Sequence, residues 1–142
     1  MPSHVRLVGM QRIHSQRGVS MSVFACGAIM ALLILAGLLV DGAAQMSAHQ
    51  RAVDATAQVA RFATDAAAPY LVDGQDGTGP ALAAAQTAAA KFPDFAFVIS
   101  MTDTGVLHVE ATATVDTTFL QLIGVSSLHT TGTSEAVLHE VR

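Results

Sequence analysis

The sequence predicts an α+β protein held in a membrane by one N-terminal helix, and three observations lead to that prediction. An uncharged run of 22 residues, 19–40, is long enough to cross a bilayer. A stretch rich in helix-forming residues follows, without Gly or Pro from Ala43 to Ala68. Beyond Pro93 the chain turns to alternating apolar and polar residues, which are typical of strands. The expected segments are a basic cytoplasmic leader (1–18), a transmembrane helix (19–40), a helical stalk (41–68) and an extracytoplasmic head (69–142).

The composition of this chain of 142 residues excludes several classes of protein. Apolar residues make up 51% and charged residues 13%, so the chain is too apolar to stay disordered. Its single cysteine, Cys26, rules out an internal disulfide and a cysteine-based metal site. After residue 18, four Lys and Arg residues stand against all 11 Asp and Glu residues, and this balance argues against binding nucleic acid.

The uncharged run 19–40 is interpreted as a retained single-pass anchor in the lipid bilayer. As a helix it measures about 33 Å, and it is longer than the apolar run of about 7 to 15 residues in a cleaved signal peptide. Three arginines precede it and Asp41 follows it, so the positive-inside rule places the N-terminus in the cytoplasm and the head outside. The alternative is a cleaved signal peptide, because Gly42-Ala43-Ala44 supplies small residues before Gln45.

Small residues mark two helix faces that suit packing against other helices. Gly27 and Ala31 form a small-xxx-small pair within the span. Residues at helical spacing form an apolar stripe along the stalk, namely Met46, Val53, Ala57, Ala60 and Ala67. Pro69 is expected to end the stalk helix, and Asp41-Gly42 is its expected weak point, where the helix is free to bend.

The head is predicted to contain a second helix and about three antiparallel strands. The helix, ALAAAQTAAAKF, is expected to begin with Thr78 or Gly79 as its N-cap and to end before Pro93. An acidic stretch, 73–79, is interpreted as a plain loop because it lacks the ligand set of a calcium loop. Strands are expected at Ala96–Met101, Val106–Val115 and Leu128–Val141, with a hairpin turn at 103–105 and a short helical turn closed by Gly124.

No residue pattern indicates catalysis or a cofactor. The six histidines lack metal-binding spacing, although His108, His129 and His139 fall on predicted strands where they are candidates to meet across the sheet. The sequence contains no nucleophile elbow, phosphate-binding Gly loop or recognisable catalytic carboxylate pair. It therefore predicts a protein that is not an enzyme and has no cofactor, metal or small-molecule substrate.

The order of several features is also informative. Arg17-Gly18 precedes the span and Asp41-Gly42 follows it, and the next helix contains Gln50, Arg51, Ala52, Asp54 and Ala55. This pattern resembles the TadE/TadG-like family of the tight-adherence (Flp) pilus assembly system, and is closest to its divergent branch in high-GC bacteria. Residues 111–136 also resemble the C-terminal part of such proteins, so that the two stretches cover about half of the chain.

The resemblance implies a minor pseudopilin-like, single-pass component of the cytoplasmic membrane. Some such proteins are cut by a prepilin peptidase after a glycine, and Gly18, Val19 and Phe24 fit that register. Val23 occupies the position of the Glu that in pilins is thought to neutralise a neighbour's N-terminal amine. The expected function is a structural component of a Flp/Tad type IV-like pilus or related secretion apparatus, acting through helix packing. Its expected partners are pseudopilins and other pilus or secretion-system membrane proteins. The alternative function is an exported binding module.

Overall fold

The computed structural model describes the backbone of residues 17–138 and the side chains of residues 21–138. Its elements confirm an α+β fold with a long N-terminal helix, a second helix and a three-stranded antiparallel sheet. In chain order they are α1 (Arg17–Val72), α2 (Thr78–Ala89), β1 (Ala96–Met101), β2 (Val106–Asp116), a short 3-10 helix (Leu120–Ile123) and β3 (Ser127–Val137). The chain divides into two compact units, residues 1–35 and 36–142.

Helix α1 continues from the uncharged run into the stalk without interruption at Asp41-Gly42. The prediction that Pro69 ends this helix is wrong, because Pro69 lies inside α1, which continues to Val72. Proline removes only one backbone donor there, and the true end comes at Gly74, which has a φ of 68°. The N–H of Gly74 bonds to the Leu71 carbonyl at 3.2 Å and that of Gln75 to the Tyr70 carbonyl at 2.7 Å, forming a Schellman motif.

The sheet packs against the stalk part of α1, and small residues bring the two backbones close together. A Cβ added to Gly132 of β3 would collide with the backbone N of Val53 and the backbone of Ala52. Next to this contact, the Nδ1 atom of His49 is 2.8 Å from the backbone O of Thr131. The stalk is therefore fixed to the head along its length. Its buried face consists of Ala48, Ala52, Ala55, Thr56, Val59, Ala60, Ala63 and Ala67.

Helix α2 packs on the core near the C-terminal end of α1. It begins at Thr78 after an N-cap at Gly77, which is slightly earlier than expected, because the Asp76 carboxylate accepts the N–H of Thr78 at 2.8 Å. The hydrogen bonds from Thr78 lower the pKa of Asp76 below its ordinary value of 3.8. The start of α2 lies against Ala67 of α1, where a Cβ on Gly77 would come within 2.9 Å of the Ala67 Cβ. The core between the helices and β2 consists of Val59, Ala60, Ala63, Ala67, Ala81, Ala85, Ala88, Leu107 and Val109.

The strand predictions are largely confirmed. Strand β1 has the expected bounds, and β2 extends one residue beyond them. Gly105, with a φ of 77°, makes the hairpin turn between them. Strand β3 begins one residue earlier than expected and ends at Val137, while residues 139–141 of its expected range lie outside the described part of the chain. The strand order is β1-β2-β3.

Candidate functional site

The part of α1 that precedes the stalk exposes its apolar side chains. This helix is long and apolar enough to cross a membrane, or to serve as a signal sequence. Gly27 and Ala31 both lie on its open surface, and no described atom comes within 4 Å of the place where a Gly27 Cβ would be. Other side chains of the run that are more than half exposed are Met21, Val23, Phe24, Ile29, Met30, Leu32, Leu33, Ile34, Leu35, Leu39 and Val40.

The predicted processing point lies at the edge of the described residues. The backbone of Gly18 and Val19 is helical, and the Val19 side chain lies outside the described set. Val23 and Phe24 are exposed. A peptidase that recognises this register would meet apolar side chains and no carboxylate, because valine occupies the Glu position.

Asp41 occupies the point where the apolar run meets the head. Its side chain is only 3% exposed, although it is the first charged residue after the run. One carboxylate oxygen, Oδ1, accepts the N–H of Thr118 at 2.9 Å. The other, Oδ2, accepts the N–H groups of Phe119 at 3.0 Å and Leu120 at 2.7 Å. Asp41 therefore satisfies the first amides of the 3-10 helix from a position 77 to 79 residues earlier in the chain.

The charge of Asp41 is set by two opposing effects. Burial disfavours the carboxylate, whereas the three backbone N–H groups favour it. The hydrogen bonds together prevail, and the pKa of Asp41 lies below its ordinary value of 3.8. Asp41 is therefore a carboxylate at neutral pH, and the N–H groups of Thr118, Phe119 and Leu120 stabilise its negative charge.

Phe119 makes a second contact between this loop and α1. Its ring lies over Gly37, one helical turn before Asp41, and a Cβ at Gly37 would be 2.6 Å from the ring carbon Cγ. Gly37 is consequently buried even though neighbouring residues of the helix are exposed. Glycine at this position provides the space that the aromatic ring fills.

Hydrogen bonds between its two ends also hold this loop together. The N–H of Thr117 donates to the Ser126 carbonyl at 3.0 Å, and the Thr117 hydroxyl donates to the Val125 carbonyl. Gly124, with a φ of 93°, ends the 3-10 helix as expected. We call residues 117–125 the junction loop, because Asp41 and Gly37 join it to α1.

The predicted packing stripe of the stalk lies on two different surfaces. Ala60 and Ala67 are buried against the head of the same chain. Met46 is 61% exposed, and Val53 and Ala57 are also exposed. Of the predicted stripe, only Met46, Val53 and Ala57 are therefore accessible to a partner helix.

The histidines of the described part of the chain do not come together as a cluster. His108 pairs in register with Glu135, and its Nδ1 lies 3.1 Å from the Glu135 carboxylate. His129 lies opposite Thr114, whose hydroxyl is 3.2 Å from its ring nitrogen, and His139 lies outside the described residues. Among residues 21–138, no group of three His, Cys, Asp or Glu side chains is placed to hold a metal ion.

Sequence reasoning missed the role of Asp41, which it interpreted as the charge that ends the span and as part of a weak point of the helix. A lone Asp directly after an apolar run was the available signal, since a buried charge needs several hydrogen bonds. Nothing in the spacing pointed to Thr118–Leu120 as the donors. Comparison with protein-family models, curated proteins and solved structures finds no match to this chain.

Proposed function

We propose that this protein is a single-pass membrane component of a Flp/Tad type IV-like pilus or related secretion apparatus, with its N-terminus in the cytoplasm. It acts through packing of its membrane helix and stalk and through protein contacts of its head, without catalysis. The observation that carries the proposal is the joining of Asp41 and Gly37, at the end of the apolar run, to the junction loop of the head.

This joining favours a retained helix over a cleaved signal peptide. Cleavage before Gln45 would remove Asp41 and leave the N–H groups of Thr118, Phe119 and Leu120 without their carboxylate. These three hydrogen bonds to a charged group would be lost, so a mature chain beginning at Gln45 would lose part of its own fold. Processing after Gly18 would leave these contacts intact.

Two free surfaces are suited to partner helices. Gly27 and Ala31 lie on the open face of the apolar run, where small residues allow close helix contact. Met46 and Val53 lie on the uncovered side of the stalk. The resemblance to TadE/TadG-like proteins supports pilus or secretion-system proteins as the partners of these surfaces.

The first test is the mature N-terminus of the protein in fractionated native cells, read by intact mass and N-terminal sequencing. A membrane-bound chain that retains residues 19–40 is expected. A soluble chain that begins near Gln45 would contradict the proposal and favour the alternative, an exported binding module with a cleaved signal peptide.

The second test is photo-crosslinking from the apolar run in those cells. A crosslinker at Gly27 or Ala31 is expected to capture a pilus or secretion-system membrane protein, or a second copy of this chain. Ile29 and Leu33 are the matched controls, because at 100° per residue they lie on the opposite side of the helix. Equal labelling at all four positions, or labelling of lipid alone, would contradict packing through this face.

A further inference from the structure

We infer that the junction loop, residues 117–125, docks onto the lipid bilayer that α1 crosses and inserts Phe119, Leu122 and Ile123 among the headgroups and acyl-chain ends. This inference rests on the proposed function, because it needs the apolar run to lie in that bilayer. The ligand of this surface is a lipid interface.

The position of the loop along α1 is the first argument. Asp41 is the first charge after the apolar run, so the hydrocarbon ends at or just before it. The backbone of Thr118–Leu120 is hydrogen-bonded at the level of Asp41. The Phe119 ring lies over Gly37, which is about 6 Å further along the helix toward the membrane. The loop is therefore at the depth of the headgroups and reaches to the edge of the hydrocarbon.

The exposed surface of the loop is the second argument. Leu122 is 80% exposed, the highest value among the large apolar side chains described, and Ile123 is 77% exposed, equal to Leu39 of the apolar run. Phe119 and Val125 are also exposed. The chain carries no Asp, Glu, Lys or Arg between Asp116 and Glu135, so no formal charge opposes contact with lipid. Clustered aliphatic and aromatic side chains of this kind are typical of interfacial membrane segments.

The backbone of the loop is the third argument. A segment that reaches the edge of the hydrocarbon benefits from satisfying its polar backbone groups within the protein, because the hydrocarbon offers no water to bind them. The carboxylate of Asp41 accepts three of the amides, and carbonyls of residues 119–121 and 126 accept others. The donors satisfied in this way are the N–H groups of Thr117, Thr118, Phe119, Leu120, Leu122, Gly124 and Val125. Seven of the nine backbone N–H groups of the loop thus have acceptors within the protein, while Leu122 and Ile123 remain exposed.

Fluorescence quenching in reconstituted vesicles tests this inference on the full chain. Cys26 is replaced by alanine, and a single cysteine carrying an environment-sensitive dye is placed at Leu122 or Ile123. Vesicles contain phosphatidylcholine and phosphatidylglycerol, with spin labels on the headgroup or at mid-chain. Both dyes are expected to be quenched most strongly by headgroup spin labels and several-fold less by aqueous iodide than the control dye.

The control position is Val72, another apolar residue that is 73% exposed. It lies about 46 Å from Asp41 along α1, so it should remain in water, be quenched by iodide and be insensitive to spin-labelled lipid. Matching thermal unfolding of the unlabelled cysteine variants in detergent verifies that each one is folded. All three substituted side chains are exposed, so little effect on folding is expected.

A dye on the native Cys26 separates this inference from the proposed function, because Cys26 is an exposed residue of the apolar run. Lipid quenching at Cys26 together with free iodide access at Leu122 and Ile123 would overturn loop docking and leave the anchor intact. Loop dyes that neither iodide nor lipid quenches would mean that a protein, or a second copy of the chain, covers the loop, which also overturns the inference. Iodide access at Cys26 itself would contradict the anchor.

Discussion

Asp41 shows at the scale of one residue how an apolar helix is joined to a polar head. A charged side chain at the end of a membrane-crossing run usually marks the start of water. Here the carboxylate is buried at 3% exposure and accepts three backbone N–H groups from a distant loop. The residue therefore positions the junction loop and stabilises its first turn.

Replacing Asp41 with Asn should lower the Tm of the full chain. The Tm is measured in detergent by circular dichroism. Asparagine loses the negative charge and directs an NH₂ group toward backbone donors, so fewer of the three hydrogen bonds can form. Asp54→Asn is the matched control, because Asp54 is an exposed carboxylate on the same helix. Equal Tm values for the two variants would show that the Asp41 contacts do not stabilise the fold.

The stability should also fall in acid because of the same carboxylate. Its pKa in the folded chain lies below the ordinary value of 3.8, since the N–H groups favour the charged form. The contribution is therefore complete above about pH 4 and is lost as the pH falls through the lower folded pKa. Thermal unfolding from pH 6 to pH 2 should show a smaller loss for Asp41→Asn than for the unchanged chain. An equal loss of Tm in the two chains would show that Asp41 does not cause the loss of stability in acid.

Gly37 and Gly42 offer a matched pair of alanine substitutions on one helix. Gly37→Ala should destabilise the chain by about 1–3 kcal/mol, because the new Cβ would be 2.6 Å from the Phe119 ring. Gly42→Ala should be neutral or stabilising by up to about 1 kcal/mol, since no described atom lies within 4 Å of its Cβ position and alanine favours helix. Urea unfolding in detergent measures both. A cost at Gly37 that persists in a Phe119→Ala background would exclude the ring as its cause.

At the scale of elements, the stalk part of α1 supplies half of the buried apolar residues of the core. Its buried face is almost entirely alanine, and alanine lets β3 approach until Gly132 contacts the backbone of Val53. Periodicity predicted an apolar stripe through Met46, Val53 and Ala67, but several faces of this helix carry alanine. The face that is buried is decided by the sheet, because close backbone packing needs glycine on β3 opposite small residues on α1.

Gly132→Ala should disrupt this contact strongly. The added Cβ would collide with backbone atoms of Val53 and Ala52, which cannot rotate away, so the cost should reach or exceed about 3 kcal/mol. Gly79→Ala is the control, because it is another glycine with no described atom within 4 Å of its Cβ position. Amide hydrogen exchange should show faster exchange in β3 for Gly132→Ala alone. Unchanged protection in β3 would mean that the helix and sheet tolerate a wider spacing.

At the scale of the molecule, one compact unit comprises residues 36–142 and includes the last turn of the apolar run. The predicted division into span, stalk and head followed hydropathy along the chain. Hydrogen bonds to Asp41 and packing of the Phe119 ring on Gly37 associate this part of the helix with the junction loop. The fold therefore extends into the last turn of the apolar run.

Two truncated chains should show how far the fold extends toward the apolar run. A chain that begins at Ala36 keeps Gly37 and Asp41, whereas one that begins at Gln45 loses both. The longer chain should have the higher Tm, and Asp41→Asn in the longer chain should remove part of the difference. Similar Tm values for the two truncated chains would show that the contacts near residue 41 contribute little to folding.

The sequence by itself determined the local features of this protein. The bounds of β1, the glycine turns at Gly105 and Gly124, and a continuous helix from the apolar run into the stalk all follow from neighbouring residues. Only the tertiary structure decided that Asp41 binds residues 118–120, that His108 meets Glu135 and which face of the stalk is buried. Turns, strands and helices arise from interactions within a few residues, whereas these contacts join residues far apart in the chain and depend on how sheet and helix pack together.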